Sequence, residues 1–278
     1  MNIPLMPSFL PRLLSMLGTA ALLTTSAHAE ILVKSGDKVA FLGDSITQQG
    51  WSSHTGYVKL VMAGLKANGV EATAIPAGIS GHKSNQMLGR LQHDVLDKHP
   101  QWMTLSCGVN DVWHGKNGVP LDEAQAASGE FIPNANEPEK STYKKNITAI
   151  IDQAQAAGVK PVILTATVIH EDLNSSENKK LAPYNDFLRQ LAKEKNLPLA
   201  DLYATFEERI KAEGQPGKNV FTRDGVHMLP EGDRIMATGV LKAFGCNDAQ
   251  LAKAREAWDA LSAPKPAPAD APAPAAAK

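Results

Sequence analysis

Residues 39–47 read VAFLGDSIT, and the rest of the chain is organised around this stretch. The apolar run 39–42 stops abruptly at Gly43, and a short run bounded by a turn signal predicts a fully buried strand. A segment of helical periodicity follows after His54, so Ser45 would lie on a turn between a strand and a helix. Backbone N–H groups near such a turn can stabilise an anion. Ser45 is therefore a candidate nucleophile.

Strands and helices alternate along the remaining chain. We expect further strands at about residues 72–77, 102–106, 161–166 and 199–202. Helices are predicted from the spacing of apolar residues at 57–65, 88–95, 147–154, 181–191 and 231–244, the second of them capped by Ser84. This alternation predicts an α/β domain with a mostly parallel central sheet and helices on both faces.

Composition narrows the class of protein. The chain has 278 residues, of which 43% are hydrophobic and 21% charged, with a formal net charge of -1. That length suffices for one large α/β domain with a substantial core. The near-neutral charge provides no basic surface for nucleic acid, so we expect no nucleic-acid partner.

The two ends of the chain differ from its middle. Arg12 precedes an apolar segment at 13–23 and an Ala-x-Ala site at 27–29, which indicates a signal peptide over residues 1–29. The alternative is a buried N-terminal helix, and the run is short for a membrane span. Residues 263–278 are almost entirely Ala and Pro, which is typical of an extended, disordered tail. The mature domain would cover residues 30–262, begin near Glu30, and be periplasmic or secreted.

Two further features leave alternatives open. Export makes a disulfide between Cys107 and Cys246 possible, although the two could equally remain free thiols. Residues 112–141 form a connection too long for a routine strand-to-helix loop, so they are either a functional lid or a disordered insert. We expect this connection to influence substrate choice and to contribute little to stability.

The expected strand ends carry polar residues that fit acyl transfer. Ligands of open α/β sheets bind outside the carboxyl ends of the strands. Ser45 could act as nucleophile there, with His227 as its base and Asp224 holding the imidazole. The Ser45 and Gly81 backbone N–H groups and the Asn110 side-chain amide could stabilise an oxyanion. At Gly81 the missing Cβ would let the backbone approach closely.

Four sequence blocks together resemble the SGNH (GDSL) hydrolases. They are Gly43-Asp44-Ser45-Ile46, Gly78-x-x-Gly81, Gly108-x-Asn110-Asp111 and Asp224-x-x-His227, in the family's order. The resemblance covers about residues 36–245 and implies a flavodoxin-like three-layer α/β/α sandwich and serine esterase chemistry without a cofactor. It implies Ser45, Asp224 and His227 as the catalytic triad, and Ser45, Gly81 and Asn110 as the oxyanion hole. Pro76 departs from the pattern, because Asn is frequent there.

Other polar residues are assigned by weighing a functional role against a structural one. Asp44 and Asp111 are expected to be structural, Asp44 through hydrogen bonds within its own turn. His82, Trp113 and His114 follow oxyanion residues, so they either line the substrate pocket or have surface and packing roles. Residues 170–172, His-Glu-Asp, match no zinc motif, so we interpret them as a solvated loop and predict no metal site.

The leading functional hypothesis is an exported serine esterase acting on small acyl esters, mainly O-acetyl groups on carbohydrate. Its substrate would be a small molecule or a polysaccharide ester. A lysophospholipase or thioesterase could use the same residues but would need an apolar acyl groove. A non-catalytic carbohydrate-binding protein is the alternative from another class, and the intact set of catalytic residue types argues against it.

Overall fold

The centre of the fold is a five-stranded sheet in which every paired strand is parallel. The computed structural model describes residues 1, 30–132, 141–213, 215 and 217–262. The strands are β1 (Lys38–Gly43), β2 (Thr73–Gly78), β3 (Trp102–Ser106), β4 (Lys160–Leu164) and β5 (Leu199–Ala200). Their order across the sheet is β2-β1-β3-β4-β5, the flavodoxin-like order, which confirms the predicted fold class.

Helices cover both faces of this sheet. They are α1 (Ser45–Ser52), α2 (Tyr57–Ala67), α3 (Ser84–Asp94), α4 (Val109–Trp113), α5 (Glu123–Ala127), α6 (Tyr143–Ala156), α7 (Ser176–Glu194), α8 (Leu202–Glu213), α9 (Pro230–Ala243) and α10 (Asp248–Ser262). Short 3-10 turns lie at Leu96–Lys98 and Gly115–Asn117. Helix α2 packs against α9 and α10, whereas α3 and α7 pack against α6, so the sheet separates two helical layers. Of the described helices, none is long and apolar enough to cross a membrane.

Strand β1 is buried because helices cover both of its faces. All its residues from 39 to 43 are buried, and Phe41 meets the ring of Tyr57 from α2 edge to face at 6.4 Å. In a sheet covered on both sides, a strand needs a continuous apolar run rather than an alternating one. The strand ends at Gly43, so the reversal in strand order between β2, β1 and β3 places Ser45 at the crevice where ligands of such sheets bind.

Several local predictions differ from the structure. Helices α1, α8 and α10 were not predicted as separate elements. Ser84 does not cap α3: it is the first helical residue, and its hydroxyl donates to Asp111 Oδ1 at 2.6 Å. Helix α3 begins before the predicted range 88–95, and Met87, outside that range, is fully buried on its inner face. Cys107 and Cys246 are both free and buried, so no bridge joins them.

The connection over residues 112–141 is only partly described, because 133–140 lie outside the described residues. Its described part contains α5 and packs onto the core through Val119, which is buried. The backbone N–H of Tyr143 donates to the Pro120 carbonyl at 2.8 Å. This part of the connection is therefore anchored rather than structureless. The predicted signal peptide and the tail at 263–278 also fall outside the described residues.

Candidate active site

Ser45 is the first residue of α1, and only Asp44 separates it from the end of β1 at Gly43. Asp44 caps this helix, because its Oδ1 accepts a hydrogen bond from the Ile46 N–H at 2.9 Å, in line with the structural role predicted for it. Burial raises the pKa of Asp44 to about 7, although the Ile46 hydrogen bond acts in the opposite direction. This hydrogen bond fixes the residue at which α1 begins, and with it the position of the Ser45 hydroxyl.

His227 joins Ser45 to Asp224 through two hydrogen bonds. Its Nε2 lies 2.9 Å from Ser45 Oγ, and its Nδ1 lies 2.7 Å from Asp224 Oδ2. An ionised carboxylate only accepts hydrogen bonds, so Nδ1 carries the proton and Nε2 is left to accept from the serine hydroxyl. This is the arrangement in which a hydroxyl can be activated as a nucleophile.

The Asp224 carboxylate is kept ionised by its surroundings. Partial burial acts to raise its pKa, but hydrogen bonds from the His227 backbone and ring and from the Val226 N–H outweigh burial and lower the pKa to about 2. The two backbone hydrogen bonds are 2.8 Å and 3.1 Å long. Asp224 is thus negatively charged at any pH at which an esterase is assayed.

The loop over residues 79–82 is tied to both sides of the site. On the Ser45 side, Ile79 N–H donates to the Gly43 carbonyl at 3.1 Å, and Ser80 N–H donates to Gln48 Oε1 at 2.9 Å. On the other side, Asn110 Nδ2 donates to the His82 carbonyl at 3.1 Å. Gly81 is therefore held between the Ser45 helix and Asn110, where the sequence placed an oxyanion hole.

Gly81 has a conformational role besides the close approach expected from the sequence. A Cβ built there would meet no described protein atom within 4 Å, so packing against neighbouring residues does not require glycine. The backbone has φ +77° at this residue, a left-handed conformation that L side chains rarely adopt. Glycine is needed here for its backbone angle.

Asn110 and Asp111 lie on α4 and have different environments. The buried Asp111 carboxylate accepts from the Ser84 backbone N–H at 3.0 Å, from the Ser84 hydroxyl and from Cys107 Sγ at 3.4 Å. Its role is structural, as predicted, because these bonds join α4 to α3. One N–H of the Asn110 amide is used by the His82 carbonyl, and the second is available for an oxyanion.

Arg90 on α3 is a residue of the site that the sequence analysis missed. Its Nη2 donates to the Gly43 carbonyl and its Nη1 to the Ala77 carbonyl, both at 2.8 Å. Its Nε donates to His82 Nδ1 at 3.1 Å. The guanidinium thus joins the ends of β1 and β2 to the loop that carries Gly81. The available signal was a cation one residue before the buried Leu91, at the margin of an apolar helix face.

The three candidate substrate-contacting residues occupy different positions. His82 is half-buried, and burial together with the Arg90 cation lowers its pKa. Trp113 is 36% exposed and meets the ring of His170 edge to face at 6.3 Å. His114 is exposed, and its ring makes no hydrogen bond to any described residue. Of the three side chains, only that of His82 is hydrogen-bonded to another residue of the site, Arg90.

Residues 170–172 are not simply a solvated loop, which corrects the interpretation from sequence. The Glu171 carboxylate accepts hydrogen bonds from residues 220–222, and only Asp172 is exposed. Nothing local in the sequence indicates this, because the partners are backbone groups about 50 residues away. No group of three or more His, Cys, Asp or Glu residues that could hold a metal ion occurs in the described part of the chain.

Comparisons with protein families, curated proteins and solved structures all match this chain to ester hydrolases. The model of the GDSL-like lipase/acylhydrolase family matches residues 41–235. An acetylxylan esterase of Geobacillus stearothermophilus is 25% identical over 225 residues, covering 77% of this chain and 96% of the esterase. The solved acetyl xylan esterase AlAXEase is 31% identical with a TM-score of 0.59, covering 74% of this chain and 98% of that one. The acetylxylan esterase Axe2 from Geobacillus stearothermophilus is 23% identical with a TM-score of 0.63, covering 78% and 97%.

Proposed function

Because the chain belongs to the GDSL-like lipase/acylhydrolase family and is a carboxylic ester hydrolase, we propose that it removes small acyl groups, mainly O-acetyl, from carbohydrate. In this proposal Ser45 is the nucleophile, His227 the general base and acid, and Asp224 the group that orients the imidazole. The observation that carries the proposal is the pair of hydrogen bonds that joins these three side chains at the carboxyl end of the sheet.

The reaction proceeds through an acyl-enzyme. Ser45 Oγ attacks the ester carbonyl carbon while its proton passes to His227 Nε2 along their 2.9 Å hydrogen bond. The resulting oxyanion accepts from the N–H groups of Ser45 and Gly81 and from the Asn110 amide. The tetrahedral intermediate collapses, the C–O bond to the sugar breaks, and the sugar oxygen takes the proton from His227.

Water completes the cycle at the same site. His227 removes a proton from the water as its oxygen attacks the acyl-Ser45 carbonyl, and a second oxyanion forms in the same place. Collapse releases the carboxylic acid and returns the proton to Ser45 Oγ. Asp224 stabilises the imidazolium at both stages, which the low pKa of its carboxyl group supports.

The substrate class rests on two observations. The curated relative from Geobacillus stearothermophilus and the solved AlAXEase are both acetylxylan esterases. In addition, Trp113 lies three residues after Asn110 on the same short helix, so it shares a helix face with a proposed oxyanion donor and keeps a third of its surface exposed. An exposed aromatic ring beside the reaction centre suits the apolar face of a sugar. His82 and His114 are further proposed substrate contacts.

We also propose that the protein is exported. The basis is the apolar segment at 13–23 followed by the Ala-x-Ala site at 27–29, which is the pattern of a cleaved signal peptide. The domain would then act outside the cytoplasm, where polymeric acetylated carbohydrates are accessible to it.

Specificity for long acyl chains, the alternative to acetyl specificity, can be tested with esters of different chain length. A lysophospholipase or thioesterase needs an apolar surface for a long acyl chain, and Ile79 and Ile132 are large hydrophobic residues with 37% and 52% exposure. We expect p-nitrophenyl acetate to be hydrolysed faster than the octanoate and palmitate esters. Acetylated xylan, pectin and chitin fragments would then identify the carbohydrate. Preference for palmitate would replace the proposed substrate class with the alternative.

Ser45→Ala tests the chemistry directly. We expect this variant to lose nearly all hydrolysis of p-nitrophenyl acetate, because no other group can form the acyl-enzyme. The matched control is Ser52→Ala at the far end of the same helix, which should retain wild-type activity. Phenylmethylsulfonyl fluoride should add one sulfonyl group to wild type and none to Ser45→Ala. A folded Ser45→Ala variant with more than a few per cent of wild-type activity would exclude Ser45 as nucleophile.

A further inference from the structure

Residues 220–229, here called the His227 loop, are fastened to the rest of the protein by Glu171. Oε1 of Glu171 accepts from the Phe221 N–H at 2.9 Å, and from the Thr222 N–H and hydroxyl, each at 2.7 Å. Its Oε2 accepts from the Val220 N–H at 2.7 Å. A single carboxylate thus binds three consecutive residues, and Asp224 follows the last of them by two positions.

Hydrogen bonds within the His227 loop tie its two ends together. The Arg223 N–H donates to the His227 carbonyl at 2.7 Å, and the Leu229 N–H donates to the Phe221 carbonyl at 2.9 Å. An antiparallel bridge pairs Thr222 with Met228. These bonds close the loop on itself, so a shift at residues 220–222 is passed on to Asp224 and His227.

His170, the neighbour of Glu171, contacts the tip of the same loop. Its backbone N–H donates to the Gly225 carbonyl at 2.7 Å. A Cβ at Gly225 would lie 2.4 Å from His170 Nδ1, and the backbone there has φ +93°, so glycine is required for both reasons. Residues 170 and 171 therefore hold the loop at its tip and at its base.

The hydrogen bond between Ser45 and His227 joins two residues that are far apart in the sequence. Ser45 and His227 are 182 residues apart and must bring Oγ and Nε2 to hydrogen-bond distance. Ser45 is fixed by the end of β1, whereas His227 is fixed by its loop. A misplacement of about 1 Å between reacting groups can cost on the order of a hundredfold in rate.

We propose that Glu171 is a positioning residue that sets the orientation of His227 toward Ser45. This inference rests on the proposed function, since it assigns Glu171 a role only through the His227 side chain. Hydrogen bonds to an ionised acceptor are shorter and stronger than neutral ones, so a carboxylate holds three backbone N–H groups more firmly than an amide can.

Glu171→Gln is the variant that tests the proposal. It keeps the shape of the side chain, but its NH2 group replaces one acceptor oxygen and faces an N–H of the loop. We expect kcat for p-nitrophenyl acetate to fall ten- to hundredfold, with KM changed less than threefold. The matched control is Asp172→Asn, the exposed neighbour, which should retain wild-type kinetics.

A double-mutant cycle separates positioning from general loss of structure. In a His227→Ala background, Glu171→Gln should cause no further loss of the residual activity, because the group it positions is already absent. A variant that merely weakened the fold would lower the residual activity by the same factor in both backgrounds, and that result would overturn the proposal. So would a Glu171→Gln enzyme with kcat within threefold of wild type.

Two further readouts do not depend on the cycle. The downfield proton resonance of the His227 Nδ1–H, assigned by its absence in His227→Ala, should shift or broaden in Glu171→Gln and stay unchanged in Asp172→Asn.

If Glu171→Gln does not fold, Thr222→Val serves as the second variant. It removes only one of the four hydrogen bonds to Glu171 and should lower kcat about three- to tenfold. An unchanged kcat and an unchanged resonance in this variant would overturn the proposal. Failure of the proposed function would look different, because His227→Ala itself would then retain wild-type activity.

Discussion

Gly81 and Gly69 have almost the same backbone φ angle but occupy different places in the molecule. Their φ angles are +77° and +81°, and a Cβ at either position would meet nothing within 4 Å. Gly69 follows α2 at the start of the connection to β2, whereas Gly81 lies between β2 and α3, and its N–H is a proposed oxyanion donor. The two glycines therefore allow backbone strain and active-site geometry to be measured separately.

We expect Gly81→Ala and Gly69→Ala to lose similar stability, about 1 kcal/mol each, because a Cβ disfavours positive φ. Only Gly81→Ala should also lower kcat, at least tenfold, since relief of the strain rotates its N–H away from the oxyanion. Urea unfolding and p-nitrophenyl acetate kinetics on both variants check this. Equal kcat values in two folded variants would remove Gly81 from the oxyanion hole.

Some residues of the candidate site can be predicted from the sequence and others cannot, and the difference has a physical reason. Ser45, Gly81, Asn110, Asp224 and His227 follow strands or lie on polar loops, where residue type and position indicate chemistry. Apart from one side-chain partner each, His82 and Thr222, Arg90 and Glu171 bind backbone carbonyl and N–H groups of distant segments, which almost any residue type supplies. Such partners leave no local pattern, so only the folded chain identifies these two residues.

Among the elements, α7 anchors the described part of the connection over residues 112–141. The Tyr184 hydroxyl of α7 donates to the Val119 carbonyl at 2.7 Å and is 3.0 Å from Gln125 Oε1. Gln125 Oε1 also accepts from the Leu121 N–H, so one hydroxyl holds both ends of the segment 119–125. This segment also contacts the start of α6, because its Pro120 carbonyl accepts from the Tyr143 N–H at 2.8 Å.

Tyr184→Phe should destabilise the protein by about 1–2 kcal/mol, because it leaves the buried Val119 carbonyl without its donor. Amide exchange within residues 119–125 should accelerate, while exchange in β1 should follow only the change in global stability. Tyr203→Phe is the control, because the Tyr203 hydroxyl makes no hydrogen bond to a described residue. If both variants unfold at the wild-type urea midpoint, the anchoring role of Tyr184 is wrong.

The helices show where the periodicity of apolar residues in the sequence predicts secondary structure and where it does not. Helices α2, α6, α7 and α9 were predicted because their buried residues recur at helical spacing. Helix α1 has no such stripe: its sequence SITQQGWS is mostly polar, and it forms because Asp44 caps it and the strand end packs beneath it. Helix α10 does bury Leu251, Ala254 and Trp258 at helical spacing, so its pattern was present in the sequence.

At the scale of the whole molecule, two buried carboxyl groups make stability depend on pH. Burial raises the pKa of Asp44 and of Asp233 to about 7, although each accepts a backbone hydrogen bond that acts in the opposite direction. The Asp233 bond comes from the Tyr57 N–H at 2.8 Å and joins α9 to α2. In an unfolded chain these groups titrate near their ordinary value of 3.8.

Between pH 4 and 7 these two groups therefore hold more protons in the native state than in the unfolded state, so their contribution to stability falls as the pH rises through this range. Asp233→Asn keeps the acceptor oxygen and removes the titration. Between pH 5 and pH 8 we expect the variant to gain about 2–3 kcal/mol relative to wild type in free energy of unfolding. Urea unfolding at both pH values measures this, with the exposed Asp248→Asn as control. Parallel pH profiles for Asp233→Asn and wild type would contradict the assignment.

The hydrogen bond between Ser45 and His227 has a consequence for the order of events in the life of the chain. A ribosome delivers Ser45 long before His227, because 182 residues separate them. In the proposed mechanism, a chain still under synthesis therefore has the nucleophile but no base to activate it. Hydrolysis would begin only after the His227 loop has folded against Ser45, so the first appearance of activity would report the assembly of these two distant parts of the chain.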